Sequence, residues 1–360
     1  MNPRIEGLFG SGKTKPMKFD IRKHPPVVSV CLITYNHASY VYECLDSILM
    51  QQTDFPYEIC IGEDESTDGT REICLEYADK YPDRIRLMLR SQSDAGREKY
   101  SSQGVYNYIE TSRDCRAKYI AMCDGDDVWT DPLKLQKQYD IMEAEPSVSL
   151  VHSDYDLFEE HSGHLTKQHN NAHKIVIQET ADIPLFKSQV ILREYPIAAS
   201  TTFARTKDVL AIFEDNLELF QTLPMGDIPT WCELIDYGTF HYMEESLAVY
   251  RIRPESDSNS KSATKRFWFK NGAANLGMMY GEKYALPMER FYKVKIKNCN
   301  RYALLSGERE EIQELYMNSP YHFPFVEFLI YHAARFKLSR NPAKWMFEFR
   351  YNIRNGQTAH

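Results

Sequence analysis

The chain holds eight cysteines, at 31, 44, 60, 74, 115, 123, 232 and 299, yet no two have the two-residue spacing of a zinc site or a dithiol redox motif. Several fall at apolar positions of expected strands and helices, where a thiol behaves as a small buried hydrophobe. A reduced compartment, the cytosol, is the expectation. No stretch approaches the ~18 uninterrupted apolar residues of a membrane-spanning helix. The opening segment "MNPRIEGLFGSGKTKPMKFDIRKHPP" lacks the apolar core of a signal peptide. Internal repeats and low-complexity tracts are missing. So is a positive excess: 43 Lys+Arg face 51 Asp+Glu, a net −8 that speaks against wholesale nucleic-acid binding.

One motif is present without its context. "GLFGSGKT", residues 7–14, fits the phosphate-binding loop pattern, which works only between a buried strand and a helix. Only "MNPRIE" precedes it, with one branched apolar residue, and Lys15-Pro16 follows. A P-loop nucleotide-binding protein is therefore set aside, and residues 1–25 read as a flexible basic leader.

The length, 360 residues with 43% hydrophobic and 13% aromatic content, allows a sizeable core and more than one ordinary domain. Charge is unevenly placed. From Arg251 onward there are 19 Lys+Arg against 10 Asp+Glu, which leaves 24 against 41 for residues 1–250. An acidic body thus carries a basic C-terminal part. That part either meets an anionic partner such as a membrane surface, or is a helical cap on the body or on a second subunit.

"VVSVCLIT" (27–34), "YEICI" (57–61), "IRLML" (85–89), "KYIAM" (118–122) and "VSLVH" (148–152) are short apolar runs that predict strands. Between them run helical patterns. Tyr40, Val41, Cys44, Leu45, Ile48 and Leu49 share one face; Ile73, Cys74, Tyr77, Ala78 and Tyr81 share another; Leu135, Tyr139 and Met142 point inward on a third. Alternation of this kind predicts an α/β fold, a mostly parallel doubly wound sheet with helices on both faces. "VILREYPIAASTTFARTKDVL" (190–210) reads as a strand entering a helix. "GDIPTWCELIDYG" reads as a helix ended by Gly238, with Asp227 as its cap, and "FHYMEESLAVYRIR" as a closing strand. The Ser-rich "PESDSNSKSATK" marks a boundary, and 263–355 read as helical.

Such sheets bind ligands at the carboxyl ends of their strands. There stand Thr34-Tyr35-Asn36-His37, then Gly62-Glu63-Asp64-Glu65-Ser66, then Cys123-Asp124-Gly125-Asp126-Asp127. Carboxylates crowded at one sheet edge repel one another. A hard divalent cation, Mg²⁺ or Mn²⁺, would resolve the conflict.

These segments resemble the family 2 glycosyltransferases of the GT-A fold. "VSVCLITYNHASYVYECLDSILMQQ" is similar to that family's opening strand and helix, "GEDESTDGT" to its nucleotide loop, "DGDDVWTDPLKLQKQ" to its metal motif, and "GDIPTWCELIDYGTFHYMEESLAVYRIR" to its catalytic-helix region and terminal strand. The similarity spans roughly 26–253, giving a catalytic domain at 26–255 and a C-terminal helical extension at 256–360. It implies an inverting transfer from a nucleoside diphosphate sugar, usually UDP-linked, to the hydroxyl of a surface glycan or lipid-linked acceptor, at the inner face of the membrane. Thr34, Tyr35 and Asn36 would line the nucleotide pocket, and Asp64 would bind the base with Glu63 nearby. Asp124, with Gly125, would face ribose or phosphate. Asp126 would hold the metal, Mn²⁺ or Mg²⁺. Asp227 would be the general base, and Arg251 and Arg253 would sit near the diphosphate.

Three positions depart from the family pattern. Glu65 stands where a glycine is usual, Arg253 where a histidine is common, and "RSQSDAGREKYSSQGVYNYIE" lacks a clear Arg-Asn pair, so that region is unassigned. His37, His152 and His241 read as packing or solvent-facing residues. The rival readings are a sugar nucleotidyltransferase, for which "TYNHASY" offers no Gly-rich loop, and a nucleotide-sugar-binding protein without catalysis.

Overall fold

The computed structural model describes residues 19–175, 182–254, 262–286, 288–306, 312, 313 and 315. The P-loop-like segment, the Ser-rich loop from 255 to 261 and the expected helices at 323–354 lie outside the described residues. Two compact units are present, one of residues up to 158 with 165–251, the other of 159–164 with residues from 252 onward.

In the first unit, strands β1 (Val28–Thr34), β2 (Tyr57–Glu63), β3 (Ile85–Leu89) and β4 (Tyr119–Asp124) lie parallel in the order β3-β2-β1-β4. Helices α1 (Val41–Leu49) and α2 (Thr70–Lys80) join the first three. Alternation of apolar runs with 3.6-periodic segments produced this half as expected. Val41, Cys44, Leu45, Ile48 and Leu49 bury one face of α1 against the strands. All eight cysteines are buried and none is in a disulfide.

Beyond β4 the sheet turns mixed. β5 (Val128–Trp129), β6 (Val148–Glu159), β7 (His164–Thr166), β8 (Phe203–Arg205) and β9 (Thr239–Ile252) complete nine strands, and the order continues β4-β8-β6-β9-β5. β8 runs antiparallel to both β4 and β6, and β5 antiparallel to β9. The expected fifth strand, 148–152, therefore does not sit beside β4. It is twelve residues long, because polar His152, Ser153, Asp154 and Asp156 are buried along it. Val190 and Ile191, expected to open a strand, are helical, and the strand in that stretch is β8 alone.

The remaining helices of this unit are α3 (Gln103–Asp114), α4 (Lys134–Ala144), α5 (His169–Ala172), α6 (Ile183–Ile191), α7 (Thr206–Asp215), α8 (Leu217–Thr222) and α9 (Asp227–Leu234). Helix α3 fills the region the sequence left unassigned. Asn107 donates to the Gly62 carbonyl (2.8 Å) and Thr111 to Asn107 Oδ1 (3.0 Å), so polar side chains seat this helix on β2. At the other end, within the expected leader, Ile21 is buried and its N–H bonds the Asp83 carbonyl (3.1 Å).

In the second unit, α10 (Ala263–Tyr284) and α11 (Met288–Ser306) form an antiparallel hairpin. Phe267 stacks on Tyr302 at 4.3 Å, and Asn298 donates to the Lys270 carbonyl at 3.1 Å. No described helix is long and apolar enough to cross a membrane.

Candidate active site

Parallel register sets the site. Thr34 is paired with Glu63, and Ile33 with Asp124, so three strand ends finish side by side. Backbone bonds carry the ladder one residue further, from Asp64 N–H to the Thr34 carbonyl (3.1 Å) and from Gly125 N–H to the Ile33 carbonyl (2.9 Å). A Cβ on Gly125 would lie 2.6 Å from Thr34 Oγ1 and 2.8 Å from His37 Nδ1, so only glycine lets the acidic loop lie this close to β1.

The loops after β1 and β2 are stitched together. Asn36, in the left-handed region at φ 53°, donates its N–H to Ser66 Oγ (2.9 Å) and accepts from Thr67 N–H (3.0 Å). His37 N–H bonds Thr70 Oγ1 at 2.7 Å. Tyr35 is exposed. Glu63 is wholly buried; it accepts from Ser66 N–H (2.7 Å) and pairs with Arg71. Its carboxylate thus shapes the loop. Asp64, also buried, pairs with Arg97, whose guanidinium lies 4.4 Å over the Tyr106 ring. Burial pushes the Asp64 carboxyl upward and Arg97 opposes it. Glu65, at φ 59°, takes the left-handed conformation that a glycine would adopt freely. Its carboxylate is tied to Ser91 Oγ (3.2 Å) and to the Gln92 N–H.

The acidic loop is the electrostatic centre. Burial first, then the charges of Asp127, Asp126 and Asp227, push the Asp124 carboxyl well above the usual range. Burial and then Asp126 raise Asp127 to about 7, against hydrogen bonds from Ser200 Oγ (2.6 Å) and the Arg251 N–H (3.0 Å). Asp127 therefore ties the loop to β9. Asp126 faces His37, with Nε2 to Oδ2 at 3.8 Å. Asp227 lies about a hundred residues later in the chain, yet its charge is felt by Asp124 and by Tyr108. It is the first residue of α9, half-buried, with Gly226 as the cap residue. The expected capping role is thus corrected: the carboxylate sits in the first turn, where the helix dipole favours negative charge, and it accepts no hydrogen bond among the described residues.

The two arginines expected near the diphosphate stand at the end of β9. Arg251 is buried, donates to Glu43 Oε2 (2.8 Å) and lies 4.7 Å over the Tyr40 ring, so its backbone rather than its side chain meets the acidic loop. Arg253 follows directly after β9, half-buried, in the second unit. His152 is buried against the Tyr195 hydroxyl (2.9 Å), a packing role as expected, and His241 faces Glu145 at 3.4 Å. His37 was expected to pack but stands beside Asp126. Arg97 and Tyr108 carried no sequence signal, since nothing in their local spacing points across the fold.

Among the described residues no three His, Cys, Asp or Glu side chains form a metal-binding group. The crowded carboxylates of Asp124 and Asp126 nonetheless fit a hard cation of the kind held by one or two carboxylates, with substrate phosphates and water completing its shell. A closed, all-protein cage of the zinc type does not fit.

Residues 29–211 match the family described as Glycosyl transferase family 2. An uncharacterized protein of Mycobacterium tuberculosis is 39% identical over 124 residues, 34% of this chain and 33% of the relative, so the match spans about a third of that relative's length. The putative teichuronic acid biosynthesis glycosyltransferase TuaG of Bacillus subtilis is 28% identical over 246 residues, 68% of this chain and 86% of TuaG. Among solved structures, S. aureus TarS 1–349 in complex with UDP has a TM-score of 0.48 at 16% identity, covering 91% of this chain and 88% of that one. The mannosyltransferase PcManGT of Pyrobaculum calidifontis, in complex with GDP-Man and Mn²⁺, has a TM-score of 0.49 at 15% identity, covering 95% and 90%. The family match takes in the strands and loops that build the acidic edge of the sheet and ends before Asp227. With more than half of its length so matched and with the α/β GT-A-type fold expected of it, the chain belongs to the family 2 glycosyltransferases.

Proposed function

We propose that this glycosyltransferase is an inverting enzyme that moves a sugar from a nucleoside diphosphate sugar, UDP-linked in our reading, to an acceptor hydroxyl. The observation that carries the reading is that the Asp227 charge reaches Asp124, whose carboxyl also feels Asp126, across about a hundred residues of sequence, while the Asp227 carboxylate accepts no hydrogen bond among the described residues. The acceptor oxygen attacks the anomeric carbon from the face opposite the diphosphate. Its new C–O bond forms as the bond to the phosphate oxygen breaks, and the electron pair leaves with the nucleoside diphosphate. Asp227 takes the hydroxyl proton, and the configuration inverts.

Asp64, held by Arg97, meets the base, and Thr34, Tyr35 and Asn36 border the nucleotide. Asp126, with Asp124 and Gly125 beside it, would hold Mn²⁺ or Mg²⁺, which supplies charge neutralisation for the departing diphosphate. A thermal-shift panel of UDP-, GDP- and dTDP-sugars, each with and without Mn²⁺, tests this. Binding to the native state alone raises the melting temperature, by several degrees at about 100 times the dissociation constant. The expected result is the largest shift for a UDP-sugar with Mn²⁺; no shift with any sugar nucleotide refutes the donor assignment.

The acceptor, in our reading, is a surface glycan or a lipid-linked one, a view supported by the relative named for teichuronic acid biosynthesis. Membrane contact at the cytoplasmic face is supported by α11, where Arg290, Lys293, Lys295, Lys297 and Arg301 face a single acid, Glu289, and by the exposed Trp268 of α10. Each such cation near an anionic surface contributes about 1 kcal/mol. The chain is expected to float with phosphatidylserine vesicles and not with neutral ones, and Lys293→Glu with Lys297→Glu is expected to weaken flotation strongly. Equal flotation of wild type and variant would remove the hairpin from membrane binding.

A further inference from the structure

Among the described residues Asp227 accepts no hydrogen bond to aim it, so its position is set by the backbone of its own turn. That backbone rests on one ring. A Cβ built on Gly226 would lie 2.4 Å from Tyr108 Cδ1 and 2.9 Å from Cε1. Gly226 has φ −98° and ψ −28°, angles open to any residue. Glycine stands there because the ring leaves no room for a side chain.

A second tie runs from the same ring. The Tyr108 hydroxyl donates to Thr230 Oγ1 (3.4 Å), and Thr230 Oγ1 donates to the Gly226 carbonyl (2.6 Å). Tyr108 is itself fixed: it is buried, and it meets Phe213 of α7 edge to face at 5.6 Å. It stands on α3, which Asn107 anchors to β2. We infer that Tyr108 is a positioning residue for the reaction: through Gly226 and Thr230 it holds the first turn of α9 so that the Asp227 carboxylate stays in line with the acidic loop. This rests on Asp227 as the base.

The test uses the full chain. The donor is whichever of the UDP-, GDP- and dTDP-sugars gives the largest thermal shift, water is the acceptor, and nucleoside diphosphate release is the readout. Gly226→Ala is expected to lower kcat about 10–100-fold, the scale of an ångström-level misplacement, with donor affinity unchanged. Tyr108→Phe keeps the ring against Gly226 but removes the hydroxyl that reaches Thr230, and is expected to lower kcat about 3–10-fold at unchanged donor affinity. A simple packing defect would lower the melting temperature without this split between kcat and donor affinity. Should Gly226→Ala fail to fold, the near-isosteric Thr230→Val is expected to lower kcat about 3–10-fold at unchanged donor affinity. Wild-type kcat in Gly226→Ala, in Tyr108→Phe or in Thr230→Val overturns the positioning role. Asp227→Asn is run alongside. If it keeps wild-type kcat, the base assignment itself has failed; if it is inactive while Gly226→Ala is not, only the positioning has.

Discussion

Asp227→Asn is expected to lower the rate of sugar transfer by about 10²–10⁴-fold while donor affinity stays within about twofold. The asparagine keeps the size of the side chain and cannot take a proton. No hydrogen bond is lost, since the carboxylate accepts none among the described residues, so the fold has little reason to respond. The structural cost is the interaction of a first-turn anion with the helix dipole, about 0.3–1 kcal/mol. Steady-state release of nucleoside diphosphate and calorimetric donor binding separate the two effects. A variant with full rate would remove Asp227 as base and favour a binding protein whose chemistry lies elsewhere. A variant with lost rate and lost donor affinity would instead place Asp227 in the donor pocket.

Stability and function are divided unevenly among the carboxylates. Glu63 and Asp127 are fully engaged by protein donors, Glu63 by Ser66 and Arg71, Asp127 by Ser200 and the Arg251 backbone. Buried charges of this kind persist only when paired, and both fix loop geometry. Asp227 has no such partner among the described residues, and burial together with the charges of its neighbours raises the Asp124 carboxyl. The engaged acids fix the loops, and it is the uncompensated ones to which the proposed chemistry is assigned.

Much of this was legible in the sequence. Strands β1, β2 and β4 are apolar runs with polar residues at their ends, and acidic residues close β2 and β4, so a parallel sheet had to bring the acids to one edge. Helix α3 was not legible, because "QGVYNYIETSRD" buries Asn107, Thr111 and Ser112, and buried polar side chains mimic a loop. The partner of Asp64 was hidden for a related reason. Arg97 lies in a three-residue turn after left-handed Gly96 and reaches a residue 33 positions earlier. The two contacts of Arg251 were hidden likewise: buried Glu43 takes its side chain while the acidic loop takes its N–H. Periodicity reports which face of an element is buried; it does not report which long side chain crosses between elements.

Asp126→Asn is expected to abolish the Mn²⁺ dependence of donor binding and to lower the transfer rate about 10²–10³-fold, the scale seen when a single electrostatic stabiliser is removed from an active site. The physical basis is the same crowding that marks the loop. Besides burial, Asp126 and Asp127 raise the proton affinity of Asp124, and Asp126 raises that of Asp127; a divalent cation relieves that repulsion. The asparagine removes one negative charge from the cluster, so without metal the variant is expected to melt no lower than wild type. Loss of metal affinity with retained stability is the diagnostic combination. It separates a metal-holding carboxylate from a structural one, whose replacement would lower the melting temperature with or without Mn²⁺. Thermal shifts of wild type and variant, with the preferred nucleotide sugar and a Mn²⁺ titration, give both quantities in one experiment. A variant whose donor binding still strengthens with Mn²⁺ would move the metal away from Asp126. The acidic edge would then act on the donor as an array of hydrogen-bond acceptors and not as a cation site.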